Sequence, residues 1–173
     1  MMMKLLIGAG LALALTFPSA GFARDKAGDK ASQKFLKDAI EGNLAEVQMG
    51  ELAQKNGGSD GVRSFGQMLQ KDHADANQKA TAAANNLGMT PPTAPNAKQK
   101  AAHDRMAKLS GPAFDRAFAK HMVEDHKKVI KEYEKEAKMS DAAGSYAKEA
   151  LPTLHKHLES AQNLSGMGTT GKR

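Results

Sequence analysis

The sequence predicts an all-α protein, a four-helix bundle made of two helix hairpins. Four segments of the chain repeat apolar residues at helical spacing, and short polar turns follow the first and the third of them. The chain has 173 residues, of which 40% are hydrophobic and 25% charged, so it suits a single domain. Each predicted helix has one apolar stripe, and packing the four stripes together would form one core.

An apolar segment of a different kind precedes the bundle. Residues 1–23 contain one early positive charge, Lys4, then an apolar run and small residues that include Gly21 and Ala23. This pattern is typical of a secretory signal peptide cleaved near Ala23, and the run is shorter than the roughly 20 residues of a membrane-spanning helix. We therefore expect an exported, periplasmic protein. The chain has no cysteine for a lipid anchor.

The first hairpin is predicted from residue 32 onwards. Residues 24–31 are charged and read as a flexible leader. A first helix is predicted over Ser32–Lys55, stopped by an Asn-Gly-Gly turn. A second is predicted over Gly61–Leu87, with Ser59 or Asp60 as its N-cap.

A long connection then separates the hairpins. It is rich in proline and contains a short amphipathic candidate helix over Ala97–Leu109. Residues 88–111 are numerous enough to run back along a helix of roughly 37 Å. The length permits the crossover of ferritin-like bundles, and it also permits simple up-down order with an extra short helix.

The second hairpin follows the sequence Ser-Gly-Pro. A third long helix is predicted over Pro112–Lys138, and a fourth from a Ser140 or Asp141 cap to Leu164. Pro152 lies inside the fourth helix and predicts a kink or a break there. Residues 165–173 are predicted to be a disordered tail.

The composition excludes several classes of site. Without cysteine there is no disulfide scaffold, no thiolate metal site and no thiol nucleophile. The net charge of +6 is spread among acidic residues, and the chain has two tyrosines and no tryptophan to stack on bases. Nucleic acid is therefore not an expected partner.

Several polar residues fall where the helical pattern requires apolar ones. Glu46, His73, His126 and His157 lie on or beside the apolar stripes of the four long helices. Folding each hairpin about its turn brings these residues to within roughly 6 Å of one level. A carboxylate and three imidazoles form a suitable ligand set for zinc, iron, manganese or copper.

Three acidic residues are candidates for a supporting role. Asp72 and Asp125 each precede one of the inward histidines, and Glu51 lies at the other edge of the first stripe. They are predicted as extra metal ligands or as acceptors that orient the imidazoles. Of the remaining histidines, His121 and His155 fall toward the edges of the apolar stripes, and His103 lies on the polar connection.

Two other interpretations remain open. The same residues would also make a buried hydrogen-bonded network without metal, in a structural protein whose basic faces contact anionic components of the cell envelope. The scattered methionines are soft ligands for copper, although without an M-x-x-M cluster they fit core packing better.

No enzyme class is predicted. Di-iron carboxylate bundles use Glu-x-x-His on two helices, and no histidine here has glutamate three residues before it. The chain also has no His-Glu-x-x-His, no phosphate-binding loop and no nucleophile elbow.

The order of four segments resembles a known family. FLKDAIEGNLAEVQMGELA, VRSFGQMLQKDH, LSGPAFDRAFAKHMVEDH and LPTLHKHLESAQ are similar to the family called domain of unknown function 4142, over about residues 30–164. The resemblance implies a ferritin-like helical bundle and export, with similarity around Glu46, the two Asp-His pairs and His157. It implies no activity. His121 and His155 depart from the family pattern.

Overall fold

The structure is a computed structural model that describes residues 26–166. The predicted signal peptide, the first two residues of the predicted leader and residues 167–173 of the predicted tail lie outside the described residues. The described part contains five helices and no β-strand. They are α1 (Lys26–Asn56), α2 (Asp60–Asn86), α3 (Ala97–Met106), α4 (Gly111–Glu136) and α5 (Ala142–Leu164).

The all-α prediction is confirmed, with differences at the ends of the helices. Helix α1 begins at Lys26, six residues before the predicted start, so residues 26–31 of the predicted leader are helical. These residues are mainly Lys, Ala and Asp, and the run contains no proline, so nothing in it interrupts a helix. At the other end, Ser165 and Gly166, the first two residues of the predicted tail, follow α5, and their N–H groups donate to the carbonyl oxygens of Ala161 and Asn163.

The predicted caps act where the sequence placed them. The side chain of Ser59 accepts a hydrogen bond from the Val62 N–H at the start of α2. Asp141 accepts from Gly144 N–H at the start of α5. Helix α3 has a capping box that was not predicted, formed by Asn96 and Gln99. These caps replace the backbone partners that the first helical turn lacks.

The connection crosses the full length of the bundle. Gly111, at the start of α4, pairs with Gly57 in the α1–α2 turn, and Asp115 accepts hydrogen bonds from the N–H groups of Gly58 and Ser59. At the opposite end, Ser32 near the start of α1 donates to Glu136 at the end of α4. Helix α4 therefore runs antiparallel to α1. Of the two predicted topologies, the chain adopts the ferritin-like crossover.

Around the bundle the long helices follow the order α1, α2, α5, α4. The α1–α2 pair packs most closely, and Gly50 and Gly66 allow this, since a Cβ on either glycine would lie within 2.7 Å of backbone across the pair. The α1–α4 side is the most loosely packed of the four. This open side has consequences for the site described below.

Pro152 does not break α5, which is continuous from Ala142 to Leu164. Proline removes one N–H donor, leaving the carbonyl of Lys148 without its usual partner. Both residues are exposed, so this carbonyl lies near solvent.

The core consists of two apolar clusters. One surrounds Leu36, Ile40 and Tyr146, and the other surrounds Leu69, Phe114 and Phe118. Buried polar side chains of Asn43, Glu46 and three histidines lie at the levels between these clusters. The candidate site is this polar layer.

Candidate metal centre

The three histidines predicted from the apolar stripes meet in the centre of the bundle. His73 comes from α2, His126 from α4 and His157 from α5, and all three are buried. One ring nitrogen of each lies within 4.8 Å of those of the others. Their ring centroids are separated by 5.1 to 5.9 Å. The structure thus brings together three residues that are 31 to 84 positions apart in the chain.

Each imidazole makes one hydrogen bond, through one of its two ring nitrogens, to a group outside the three histidines. Nδ1 of His73 lies 2.9 Å from Oδ1 of Asn43, and Nδ1 of His126 lies 3.0 Å from the carbonyl oxygen of Met122. Nε2 of His157 lies 3.0 Å from Oδ2 of Asp72. All three partner atoms are acceptors, so each ring donates its N–H outward and keeps a lone pair on its second nitrogen.

Those second nitrogens have no partner. Nε2 of His73, Nε2 of His126 and Nδ1 of His157 are buried without a hydrogen bond in the described structure, and so is Oε2 of Glu46. A buried polar atom without a partner costs about 1–3 kcal/mol. Four such atoms in one layer need an explanation.

Two carboxylates lie on the α1–α4 side of the histidines. Glu46 on α1, Asp125 on α4 and His126 each present a ligand atom within 4.8 Å of the other two. Glu46 is buried, and Asp125 is partly exposed. His126 belongs to both groups, so the two groups form one continuous cluster.

Burial favours the neutral form of these groups. It lowers the pKa of His126 to about 4, with a smaller contribution from the nearby His157. Burial also lowers the pKa of His73 well below its usual range and lowers that of His157, which the Asp72 carboxylate partly opposes. The imidazoles are therefore neutral at pH 7, which is the form that binds metals. Burial and the neighbouring Asp125 raise the pKa of Glu46.

The structure separates the other candidates into two groups. Asp72 contacts His157, and Asp125 joins the cluster through Glu46 and His126. Glu51 is not brought to the cluster: it is exposed, and its Oε1 accepts a hydrogen bond from Gln70. It lies five residues beyond Glu46, roughly 7.5 Å further along α1, so it cannot share the same level.

The remaining histidines lie outside both ligand groups. His155 is exposed, and His103 on α3 is near Asp104 at 3.7 Å. His121 is partly exposed, one turn before Asp125. These positions agree with the marginal places that the helical pattern gave them.

Sequence reasoning missed Asn43 and the two tyrosines. Asn43 is buried, and its Nδ2 donates to the Tyr146 hydroxyl over 3.0 Å, which lies 3.2 Å from the hydroxyl of Tyr133. The signal was present, because Asn43 is three residues from Glu46 and therefore on the same face of the helix. A chain of hydrogen bonds thus leads from His73 to a buried tyrosine pair.

The fold and site together define a class: a crossover four-helix bundle with a buried histidine–carboxylate cluster. None of the helices in residues 26–166 combines the length and apolar character that crossing a membrane requires. The chain belongs to the family described as Domain of unknown function (DUF4142), whose model matches residues 17–164. The comparisons with curated proteins and with solved structures give no match.

Proposed function

We propose that this protein binds a divalent transition metal ion through His73, His126 and His157, with Glu46 as a carboxylate ligand. The observation that supports this most directly is that four of the five buried side-chain atoms without a partner in the described structure belong to these same four residues. Three of these atoms are imidazole nitrogens and one is a carboxylate oxygen. Such a donor set suits zinc, iron, manganese or copper.

The surrounding residues support the same proposal. Histidines that bind metals usually donate their second N–H to a carboxylate, an amide or a backbone carbonyl, which fixes the tautomer and the ring orientation. Asp72, Asn43 and the Met122 carbonyl provide one acceptor of each kind. A self-contained structural network would instead pair its own donors and acceptors. This cluster leaves its inward atoms unpaired.

Methionine ligation receives less support. Met49, Met106 and Met122 are buried in the apolar cluster around Phe114 and Phe118. There they fill space between aromatic and aliphatic side chains, which is the usual role of core methionines. The proposal therefore depends on nitrogen and oxygen ligands.

We also propose that the protein is exported and handles its metal in the periplasm, in metal buffering or stress protection. The support is the signal-like pattern of residues 1–23. Expression of the full chain in a bacterium, fractionation and N-terminal sequencing test this proposal. We expect a periplasmic product that begins at Arg24. A cytoplasmic product that retains residues 1–23 would contradict export without affecting the metal site.

Elemental analysis of protein purified without a tag or chelator tests the metal site. We expect close to one metal ion per chain in the wild type and a loss of metal in the double variant His73→Ala, His126→Ala. The matched control is His103→Ala, His155→Ala, which removes two histidines outside the cluster and should keep the metal. Circular dichroism shows whether both variants remain helical.

The opposite result favours the metal-free interpretation. If the wild type holds no metal and takes up none of the four ions on addition, the cluster is structural. Binding to anionic envelope components at low salt then becomes the measurement of interest.

A further inference from the structure

A cavity of about 390 Å³ lies between α1 and α4 and includes one side of the cluster in its lining. At its inner end are Glu46, His73, Asp125 and His126. Exposed residues such as Lys34 also line it, so it reaches the surface on the loosely packed side of the bundle. Cavities of this size hold small organic molecules.

The walls of this cavity are mainly apolar. Phe35 and Ala39 line it from α1, Val129 lines it from α4, and Leu154 lines it from α5. Val129 lies between His126 and Tyr133 along one face of α4. A molecule in the cavity would therefore meet the cluster together with apolar side chains and the charged side chains of Lys34, Asp38, Glu132, Lys135 and Glu136.

The chain of hydrogen bonds supplies one polar donor to this space. If Nε2 of His73 is the ligand atom, Nδ1 donates to Asn43, whose amide donates to Tyr146. The Tyr146 hydroxyl lies 3.2 Å from that of Tyr133, and either oxygen can be the donor in this pair. Tyr133 lines the cavity, and when Tyr146 is the donor, the hydroxyl proton of Tyr133 is available to a molecule there.

We propose that this cavity binds a short-chain monocarboxylate, whose carboxylate oxygen ligates the metal ion while its hydrocarbon body packs against Phe35, Ala39 and Val129. This inference rests on the proposed metal site. With Glu46 as the fourth protein ligand, an incoming carboxylate adds beside it as a fifth ligand from the cavity side, an expansion that zinc sites accept. Tyr133 is the predicted hydrogen-bond donor to this ligand.

The test uses the full-length mature protein loaded with Co²⁺, a spectroscopic substitute for zinc, titrated with acetate and with butyrate. We expect both to change the visible spectrum of bound Co²⁺. Butyrate should bind about fifteenfold more tightly than acetate, because it has two more methylenes and each buried methylene contributes roughly fourfold. Equal affinities, or a Co²⁺ spectrum that neither carboxylate changes, would overturn the proposal.

Two variants locate the binding. Val129→Phe places a ring in the cavity and should weaken butyrate binding at least tenfold, whereas Val47→Phe changes a half-buried valine that does not line the cavity and should have little effect. Tyr133→Phe should weaken carboxylate binding about two- to tenfold at unchanged Co²⁺ affinity. If the Val129→Phe and Tyr133→Phe variants both bind butyrate like the wild type, the ligand does not use this cavity.

The other face of the cluster has a smaller cavity of about 160 Å³, between α2 and α5. An ion pair between Lys79 and Glu149 lies in its lining. Entry from that side would leave Val129→Phe without effect and so counts against the proposal. Co²⁺ that binds without responding to carboxylates overturns only this inference. Failure to bind Co²⁺, zinc or any other transition ion overturns the metal site as well.

Discussion

Asp72 on α2 and His157 on α5 contact each other across a helix interface, with Oδ2 of the aspartate 3.0 Å from Nε2 of the histidine. The His157 side chain is fully buried, and Asp72 is one-quarter exposed. The carboxylate therefore determines which nitrogen of His157 carries the proton, and it leaves a lone pair on Nδ1, which is buried without a partner. Asp72, which lies at the margin of the site, thus fixes the tautomer of a histidine at its centre.

This contact predicts that Asp72→Asn weakens metal binding without unfolding the protein. An asparagine of the same shape removes the negative charge that holds the imidazole, and such changes around a metal site lower affinity about 10–100-fold. Competition with a chelator of known affinity measures the effect. Asp75→Asn is the control, because Asp75 is exposed and pairs with Lys71. Equal losses in the two variants would show that the Asp72 contact has no special role.

Because Glu46 is a buried carboxylate, we expect its replacement to increase stability and to weaken metal binding. Its pKa is raised, so the folded state retains a proton that the unfolded chain releases above pH 4.5, and stability is lost as the pH rises through this window. In metal-free protein, Glu46→Gln should increase the free energy of unfolding at pH 7 by about 1–3 kcal/mol, with a smaller gain at pH 4.5. The same variant should bind metal more weakly.

The matched control for this prediction is Glu51→Gln. Glu51 is on the same helix, but it is exposed and bonded to Gln70. Neither stability nor metal affinity should change by more than about 0.5 kcal/mol, as for other surface substitutions. Urea denaturation at two pH values and chelator competition measure the two quantities. A Glu46→Gln variant that is destabilised at pH 7 and still binds metal would contradict the assigned role of Glu46.

For His126 we expect stability to depend on pH in the opposite direction, because burial lowers the pKa of its imidazole. Its pKa is lowered to about 4, so between pH 6.5 and 4 the unfolded chain takes up a proton that the folded state excludes. The stability provided by the neutral ring is complete above pH 6.5 and is lost as the pH falls to 4. Relative to His126→Gln, the metal-free wild type should lose about 3 kcal/mol over this range, at 1.36 kcal/mol per pH unit. Parallel stability curves for the two proteins would refute this.

The close approach of α1 and α2 predicts a strong effect at Gly66. A Cβ there would lie 2.7 Å from Ala53 Cβ and from the carbonyl oxygen of Gly50. Gly66→Ala should therefore destabilise the protein by about 1–3 kcal/mol, the usual cost of overpacking. At Gly42 on α1 a Cβ meets nothing closer than Gln99 Nε2 at 3.9 Å, so Gly42→Ala should stabilise by about 0.5–1 kcal/mol. Thermal unfolding measures both, and effects of equal sign would contradict the packing described.

The amphipathic pattern predicted the fold well because helix faces are local properties of the sequence. The same pattern singled out Glu46, His73, His126 and His157, since polar residues stand out on an apolar stripe. The crossover could not be chosen from the sequence, because the length of residues 88–111 fits both directions of α4. The contacts of Gly57 and Asp115 decide between them.

The exclusion of Glu51 and the role of Asn43 could not be predicted from the sequence, because both depend on tertiary structure. Angular position on the helix suggested Glu51, but the distance along the axis excludes it. Asn43 resembles an ordinary polar residue until Tyr146, 103 positions away, completes its hydrogen bonds. Orientation of a histidine by such distant partners is a property of tertiary packing.

The most direct test of the central claim is to count the imidazole ligands of the bound metal ion by X-ray absorption of zinc-loaded protein. We expect three imidazole nitrogens at about 2.0–2.1 Å with oxygen completing the shell. The double variant His73→Ala, His126→Ala should lose this signal, and the control His103→Ala, His155→Ala should keep it. A zinc ion surrounded by oxygen alone, or a spectrum unchanged in the double variant, would contradict the assignment of these three histidines as metal ligands.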